Sequence, residues 1–177
     1  MAMAAFSIGV AALRRQLGAT QAFLICDVFD PENLYGAVTR GESSVAPGAE
    51  ASIEGQLESI HKGVVVTATV GAPWVGECRR CALAIGGALE VAVRERFLEG
   101  ASDEDEAYPL EGEILDLFEL VRDSLLLELP IAPLCRQDCK GLCVTCGADR
   151  NEGDCGCDPP MDPRWASLET LRSPDQA

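Results

Sequence analysis

The sequence predicts a mainly β, α+β protein: a small antiparallel, barrel-like core, a capping helix and a cysteine-rich, zinc-binding tail. Three observations predict it. Alternating apolar and polar residues between Ala51 and Leu98 read as half-buried strands. A 3.6-residue apolar period follows in 114–126. Beyond Pro133 no core-building pattern remains, but six cysteines stand within 23 residues. Of the 177 residues, 1–130 are expected to form the core with its acidic loop and capping helix, and 131–177 the tail.

In chain order, Phe6, Ile8 and Val10 alternate with small residues, as in a short strand. Ala11 to Leu17 reads as a helical turn stopped by Gly18, and apolar Ala22 to Phe29 as a strand. Asn33 to Ala49 carries Gly, Ser and Pro turn chemistry. Ile53, Gly55 and Leu57 alternate with Glu54, Gln56 and Glu58. His61-Lys62-Gly63 marks a hairpin turn, and Val64, Val66, Ala68 and Val70 share one face of the next strand. After Cys78-Arg79-Arg80-Cys81 comes a further strand, Leu89 to Leu98, with Val91, Val93 and Phe97 on one face and Arg94 and Arg96 on the other. Such a meander closes naturally as a small barrel or sandwich.

Residues 99–129 hold eleven acidic side chains and one base, Arg122. Gly100 to Glu113, with Asp103-Glu104-Asp105-Glu106, is expected to be a solvated loop. Ile114, Phe118, Val121 and Leu125, widened by Leu115, Leu117 and Leu126, predict a helix that caps the core. Glu111 and Glu113 suit its positive end, and Pro130 and Pro133 stop it. Asp162 as N-cap and Pro163 at the first position open a last short helix with Trp165, Leu168 and Leu171.

Composition excludes several functions. A formal charge of −15 opposes non-specific binding to nucleic-acid backbones or anionic membranes. Aromatic residues are 5% of the chain, too few for a broad base-stacking platform. The single histidine, His61, falls in a turn. No phosphate loop or nucleophile elbow occurs, and no acid/base pair stands out, so no enzyme and no small-molecule substrate are expected. No apolar run approaches the roughly 18 residues of a membrane span. Arg14-Arg15 follows the apolar N-terminus, the reverse of a secretory signal. The acid-free run up to Asp27 also has transit-peptide composition, but a cytoplasmic protein is the expectation.

The strongest motif is Cys135-x3-Cys139-x3-Cys143-x2-Cys146-x8-Cys155-x-Cys157. Cys143 and Cys146 have zinc-knuckle spacing, and Gly147 permits the tight turn that aims amides at the sulfurs. Cys155 and Cys157 can complete that tetrahedron. So small a module needs a metal or disulfides, and in a reducing compartment zinc is the first reading; disulfides, an iron–sulfur cluster and free redox thiols are the alternatives. Cys78 and Cys81 can join Cys135 and Cys139 in a second four-thiolate site. One zinc with spare cysteines is the alternative to two. Cys26, alone in an apolar stretch, reads as a buried hydrophobe. Closed four-thiolate zinc has no open coordination position and is structural. Arg79, Arg80, Arg136 and Lys140 flank the ligands and can offset thiolate charge.

Several motifs in this order resemble the YceD family of large ribosomal RNA subunit accumulation proteins: Cys78-Arg79-Arg80-Cys81; Gly112-Glu113-Ile114-Leu115-Asp116-Leu117; Leu125-Leu126-Leu127-Glu128-Leu129-Pro130; Pro133-Leu134-Cys135-Arg136-Gln137-Asp138-Cys139-Lys140-Gly141-Leu142-Cys143; Cys146-Gly147-Ala148; and Asp162-Pro163-Arg164-Trp165. The match runs over roughly residues 50–172. One departure is Asp149-Arg150-Asn151, where many relatives read Asn-Leu-Asn. The resemblance implies a role in 23S ribosomal RNA accumulation or processing and in assembly of the large-subunit precursor, without known catalysis. Because some relatives lack the tail cysteines, it also implies a stabilising metal. The family's gene commonly lies beside that of ribosomal protein L32. Charge favours a basic ribosomal protein, L32 first, held by Asp103, Glu104, Asp105 and Glu106; direct contact with 23S RNA, through a basic patch of Arg79, Arg80, Arg94 and Arg96, is the other route. The rival reading is a thiol-based redox or metal-responsive regulator using Cys78 and Cys81.

Overall fold

In a computed structural model of the protein, residues 6–28, 38–46, 48–158 and 164 are described. Among them the elements run β1 (Ser7–Gly9), β2 (Thr20–Val28), β3 (Thr39–Arg40), β4 (Ser43–Val45), β5 (Glu50–Ile60), β6 (Gly63–Glu77), β7 (Ala84–Leu98), β8 (Tyr108–Pro109), β9 (Ile114–Asp116) and α1 (Phe118–Glu128). Short 3-10 turns occupy Leu13–Arg15 and Asp103–Asp105.

β6 is the spine. β7 pairs antiparallel along all of it, from Gly63↔Leu98 to Glu77↔Ala84. On the other edge β5 pairs with its first part and β4 with Trp74, Val75 and Gly76. β2 extends the sheet beyond β5, β3 extends it beyond β4, and β8 joins the end of β7 in parallel. The alternation expected from the sequence holds. Val64, Val66, Ala68 and Val70 are buried with Ile53 and Leu57, while Glu54, Gln56 and Glu58 are exposed. Gly55 lies where a Cβ would come within 2.6 Å of the Ala68 side chain, so the strands approach too closely there for any larger residue. His61 and Lys62 form the two-residue turn between β5 and β6, with Lys62 in the left-handed region at φ 59°.

The buried face is covered, not rolled up. Leu120, Val121 and Leu125 of α1, with Phe6, Val10 and Leu13 from the N-terminal segment, share one core with the sheet. β1 pairs with β9, and the Leu117 amide donates to the Phe6 carbonyl at 2.9 Å, so the first residues close over the start of the helix. The expected barrel is therefore corrected to an open sheet. Among the described residues β2 pairs only with β5, and the helix supplies the apolar cover that closure would otherwise provide.

Two further expectations change and a third gains detail. The helix starts at Phe118, not Ile114, because Leu115 pairs with Ile8 as strand and the Asp116 carboxylate accepts the Phe118 amide at 2.9 Å. Cys26 is exposed: Phe23 and Ile25 take the core side of β2, which leaves Leu24, Cys26 and Val28 on the other. The acidic loop is solvated as expected, with Glu104, Asp105 and Glu106 exposed, but it contains an ordered turn. Asp105 accepts the Ser102 amide at 2.8 Å and its hydroxyl at 2.7 Å, and the Arg96 guanidinium donates to the Asp105 carbonyl at 2.8 Å. The amide bond holds the Asp105 carboxyl below its ordinary range. The short helix expected from Asp162 falls outside the described residues, Arg164 apart.

Candidate metal centres

The turn between β6 and β7 is a knuckle. The Ala82 amide donates to the Cys78 carbonyl at 2.8 Å, and Ala82 sits in the left-handed region at φ 57°. The Cys143 knuckle repeats this, with Gly147 at φ 76° donating to the Cys143 carbonyl at 2.8 Å. Glycine takes that conformation freely and alanine at a cost of roughly 1 kcal/mol. Ala82→Gly is accordingly expected to raise stability by about 1 kcal/mol, read as a higher urea midpoint at unchanged m-value.

The eight clustered cysteines meet in two sets. Cys78, Cys81, Cys135 and Cys139 form the proximal set, at the end of the β6–β7 ribbon. Cys143, Cys146, Cys155 and Cys157 form the distal set, within the tail. In each, the sulfurs all lie within 4.8 Å of one another. In the proximal set Cys78 and Cys139 sulfurs are 3.9 Å apart, and those of Cys81 and Cys135 are 3.7 Å apart. A disulfide needs about 2.05 Å. The edge of a zinc–thiolate tetrahedron with bonds of about 2.3 Å is about 3.8 Å. The four-sulfur geometry therefore fits a tetrahedral ion, which either set could hold with no side-chain position left open. The redox reading takes Cys78 and Cys81 as a pair; in the structure each has the Cys135 and Cys139 thiols beside it as well.

The surrounding dipoles sort the thiols. Amides, that of Cys135 foremost, lower Cys78 to about 6, and the Cys146 and Thr145 amides lower Cys143 to about 6. The Asn151 side chain lowers Cys139. Burial, reinforced by neighbouring sulfurs, pushes Cys135 up to about 12, and the Cys146 and Cys155 sulfurs push Cys157 up to about 12. Each set thus holds thiols favoured as thiolate beside thiols favoured as protonated, and a bound metal would need them deprotonated.

The tail is fastened to the sheet by backbone as well as sulfur. The Arg79 amide donates to Pro133 and the Leu142 amide to Arg80, both at 3.0 Å. Gly141, at φ 73°, has the Arg80 carbonyl 2.7 Å from where a Cβ would stand, which explains the glycine of the Lys140-Gly141-Leu142 step. Arg80 also donates to the Cys139 carbonyl at 2.7 Å. The expected patch of four arginines does not form. Arg94 and Arg96 pair with Thr67 and Val65 near the Gly63 end, whereas Arg79 and Arg80 lie beyond Glu77 at the other. Of the acidic residues, Glu104 and Glu106 are exposed, Asp105 is engaged by Ser102, and the Asp103 side chain is outside the described residues. Asn151, whose side chain reaches the Cys139 sulfur, escaped sequence reasoning; its spacing matches no ligand pattern.

The family profile described as large ribosomal RNA subunit accumulation protein YceD matches residues 66–172. The chain belongs to the YceD family. Among its relatives an uncharacterized protein of Mycobacterium tuberculosis is 37% identical over 138 residues, 75% of this chain and 67% of the relative. One from Mycobacterium leprae is 34% identical over 134 residues, 72% of this chain and 62% of the relative. The chain thus spans about two thirds of these mycobacterial proteins. A Zea mays YceD protein, named large ribosomal RNA subunit accumulation protein YCED homolog 1, chloroplastic, is 38% identical over 53 residues, 29% of this chain and 18% of the relative. No solved structure matches. This YceD chain places both ends of its cysteine pattern inside the matched segment, and among its described residues no helix is long and apolar enough to cross a membrane.

Proposed function

We propose that this protein is a non-enzymatic, cytoplasmic factor supporting 23S ribosomal RNA accumulation or processing and large-subunit assembly. It does so by holding a basic ribosomal protein, L32 the first candidate, against its acidic segment until RNA competes for it. The observation that carries this reading is the concentration of charge: 99–129 supply −10 of the −15, in a chain whose family is described by large ribosomal RNA accumulation. Strongly acidic surfaces steer towards basic partners and repel naked phosphates. In this reading two zinc ions, one in each four-cysteine set, are structural; their coordination is closed and offers no site for a substrate.

The test leaves Asp105 in place, because its carboxylate caps the turn. Asp103→Asn with Glu104→Gln and Glu106→Gln is compared with the parent for association with basic large-subunit proteins and with 23S fragments, at two salt concentrations. The variant is expected to associate several-fold more slowly at low salt, with a flatter salt dependence, at unchanged thermal stability. Equal rates overturn the role of the acidic loop. Tight binding of the parent to naked 23S fragments overturns the protein-holding reading in favour of direct action on RNA.

A further inference from the structure

Asn151 lies in the loop between the two ligand pairs of the distal set, yet its side chain serves the proximal one. Nδ2 donates to the Cys139 sulfur at 3.4 Å. Oδ1 accepts the Lys140 amide at 2.8 Å and the Arg136 guanidinium at 2.7 Å. The Asp149 carboxylate accepts the Asn151 amide at 2.8 Å and Nδ2 at 2.7 Å. Every partner agrees on which end of the amide is which: two donors face the oxygen, two acceptors the nitrogen. The same loop is joined to the Gly141–Leu142 step that follows Cys139 by Leu142↔Asp149 pairing and by the Arg150 amide donating to Gly141 at 3.0 Å.

We propose that Asn151 is a positioning residue that couples the two four-cysteine sets, so that metal in the distal set tightens metal binding in the proximal set, and the reverse. The inference rests on the reading that both sets hold metal. Its physical basis is what holds the loop. Leu142 is 41% and Val144 81% exposed, so the distal segment has little apolar burial of its own; beside its few backbone bonds to Gly141, Leu142 and Cys143, an ion gathered by its four sulfurs would be what fixes the path of 147–154. That path delivers the amide to Cys139. When the distal metal leaves, the loop relaxes and the Cys139 sulfur loses its side-chain donor. Linkage makes the effect reciprocal: whatever distal metal does for the proximal site, proximal metal does for the distal one.

The experiment uses the full chain with zinc, in competition with a chromophoric chelator, and cobalt(II), followed by its thiolate absorption. Four proteins are compared: the parent, Asn151→Ala, Cys155→Ser with Cys157→Ser, and all three changes together. Outer-sphere partners of metal ligands are worth about 10–100-fold in affinity. Removing the distal ligands is expected to weaken the proximal site about tenfold, Asn151→Ala by a similar factor, and the combination by no more than either. Asn151→Asp, which removes the N–H donor and sets a carboxylate beside the thiolates, is expected to weaken it further than alanine. An Asn151→Ala protein with parental proximal affinity overturns the coupling, and so do losses that multiply in the combined variant. A parent that binds neither zinc nor cobalt overturns the underlying metal reading instead, so the two failures are distinguishable.

Discussion

Leu125→Asp is expected to leave the protein without a cooperative unfolding transition at 25 °C. Leu125 is fully buried, and its neighbours on the helix face, Leu120 and Val121, are buried with it in the core shared by helix and sheet. Truncating such a leucine to alanine costs about 2–5 kcal/mol, and an unpaired carboxylate at the same place adds several more. Domains of this size have about 5–15 kcal/mol in all. Phe118→Asp is the informative comparison. Phe118 is only partly buried and meets the Phe6 ring at a centroid distance of 6.4 Å, so its loss should lower the transition by a smaller amount and leave it cooperative. Urea melts followed by circular dichroism separate the two. A Leu125→Asp chain that melts like the parent would mean that the helix is not the cover of the sheet.

The second large effect is expected from Cys139→Ser. Its sulfur is buried in the proximal set and bridges the β6–β7 turn to the tail. Structural zinc in thiolate sites contributes apparent free energies of about 10–16 kcal/mol, so losing one ligand in four should empty the site. With one ion in each set, as proposed, metal content should fall from two ions to one, and limited proteolysis should cut within 131–158 while 50–98 stays intact, because the sheet has its own core. Cys143→Ser should instead empty the distal site. A Cys139→Ser chain with full metal content and a resistant tail would show that the proximal sulfurs are not ligands.

Much of this was legible from local pattern. Val64, Val66, Ala68 and Val70 announce their face because a strand repeats every two residues, and the Cys143–Cys146 knuckle announces itself because two thiolates on one ion impose that spacing. The division of eight cysteines into two fours also follows the chain order of the pairs. What escaped depends on partners far along the chain. Ile114 and Leu115 fit the helical period of Phe118, Val121 and Leu125, and only the presence of β1 turns them into strand. Cys26 could not be assigned a face until the register with Ser52 placed Ile25 inward. The barrel expectation rests on the antiparallel meander alone. Whether a sheet closes depends on what else can cover it, and here α1 does. Asn151 was silent because its hydrogen bonds reach back to Arg136, Cys139 and Lys140, and polar contacts of that kind leave no periodicity.

The length of the β6–β7 ribbon has an electrical consequence. The acidic loop follows the Leu98 end, and the proximal sulfurs stand beyond the opposite end, past Glu77 and before Ala84. Fifteen residues of strand separate them, about 45 Å allowing for twist. At physiological ionic strength the screening length is about 8 Å, so the two ends are several decay lengths apart. Each behaves as its own electrostatic compartment. Charge added or removed at the sulfurs is invisible to a cation approaching the loop, and what travels between the ends must do so through the rigidity of the packed ribbon and of α1, which leads to Pro130 beside Ser43 near the Gly76 end.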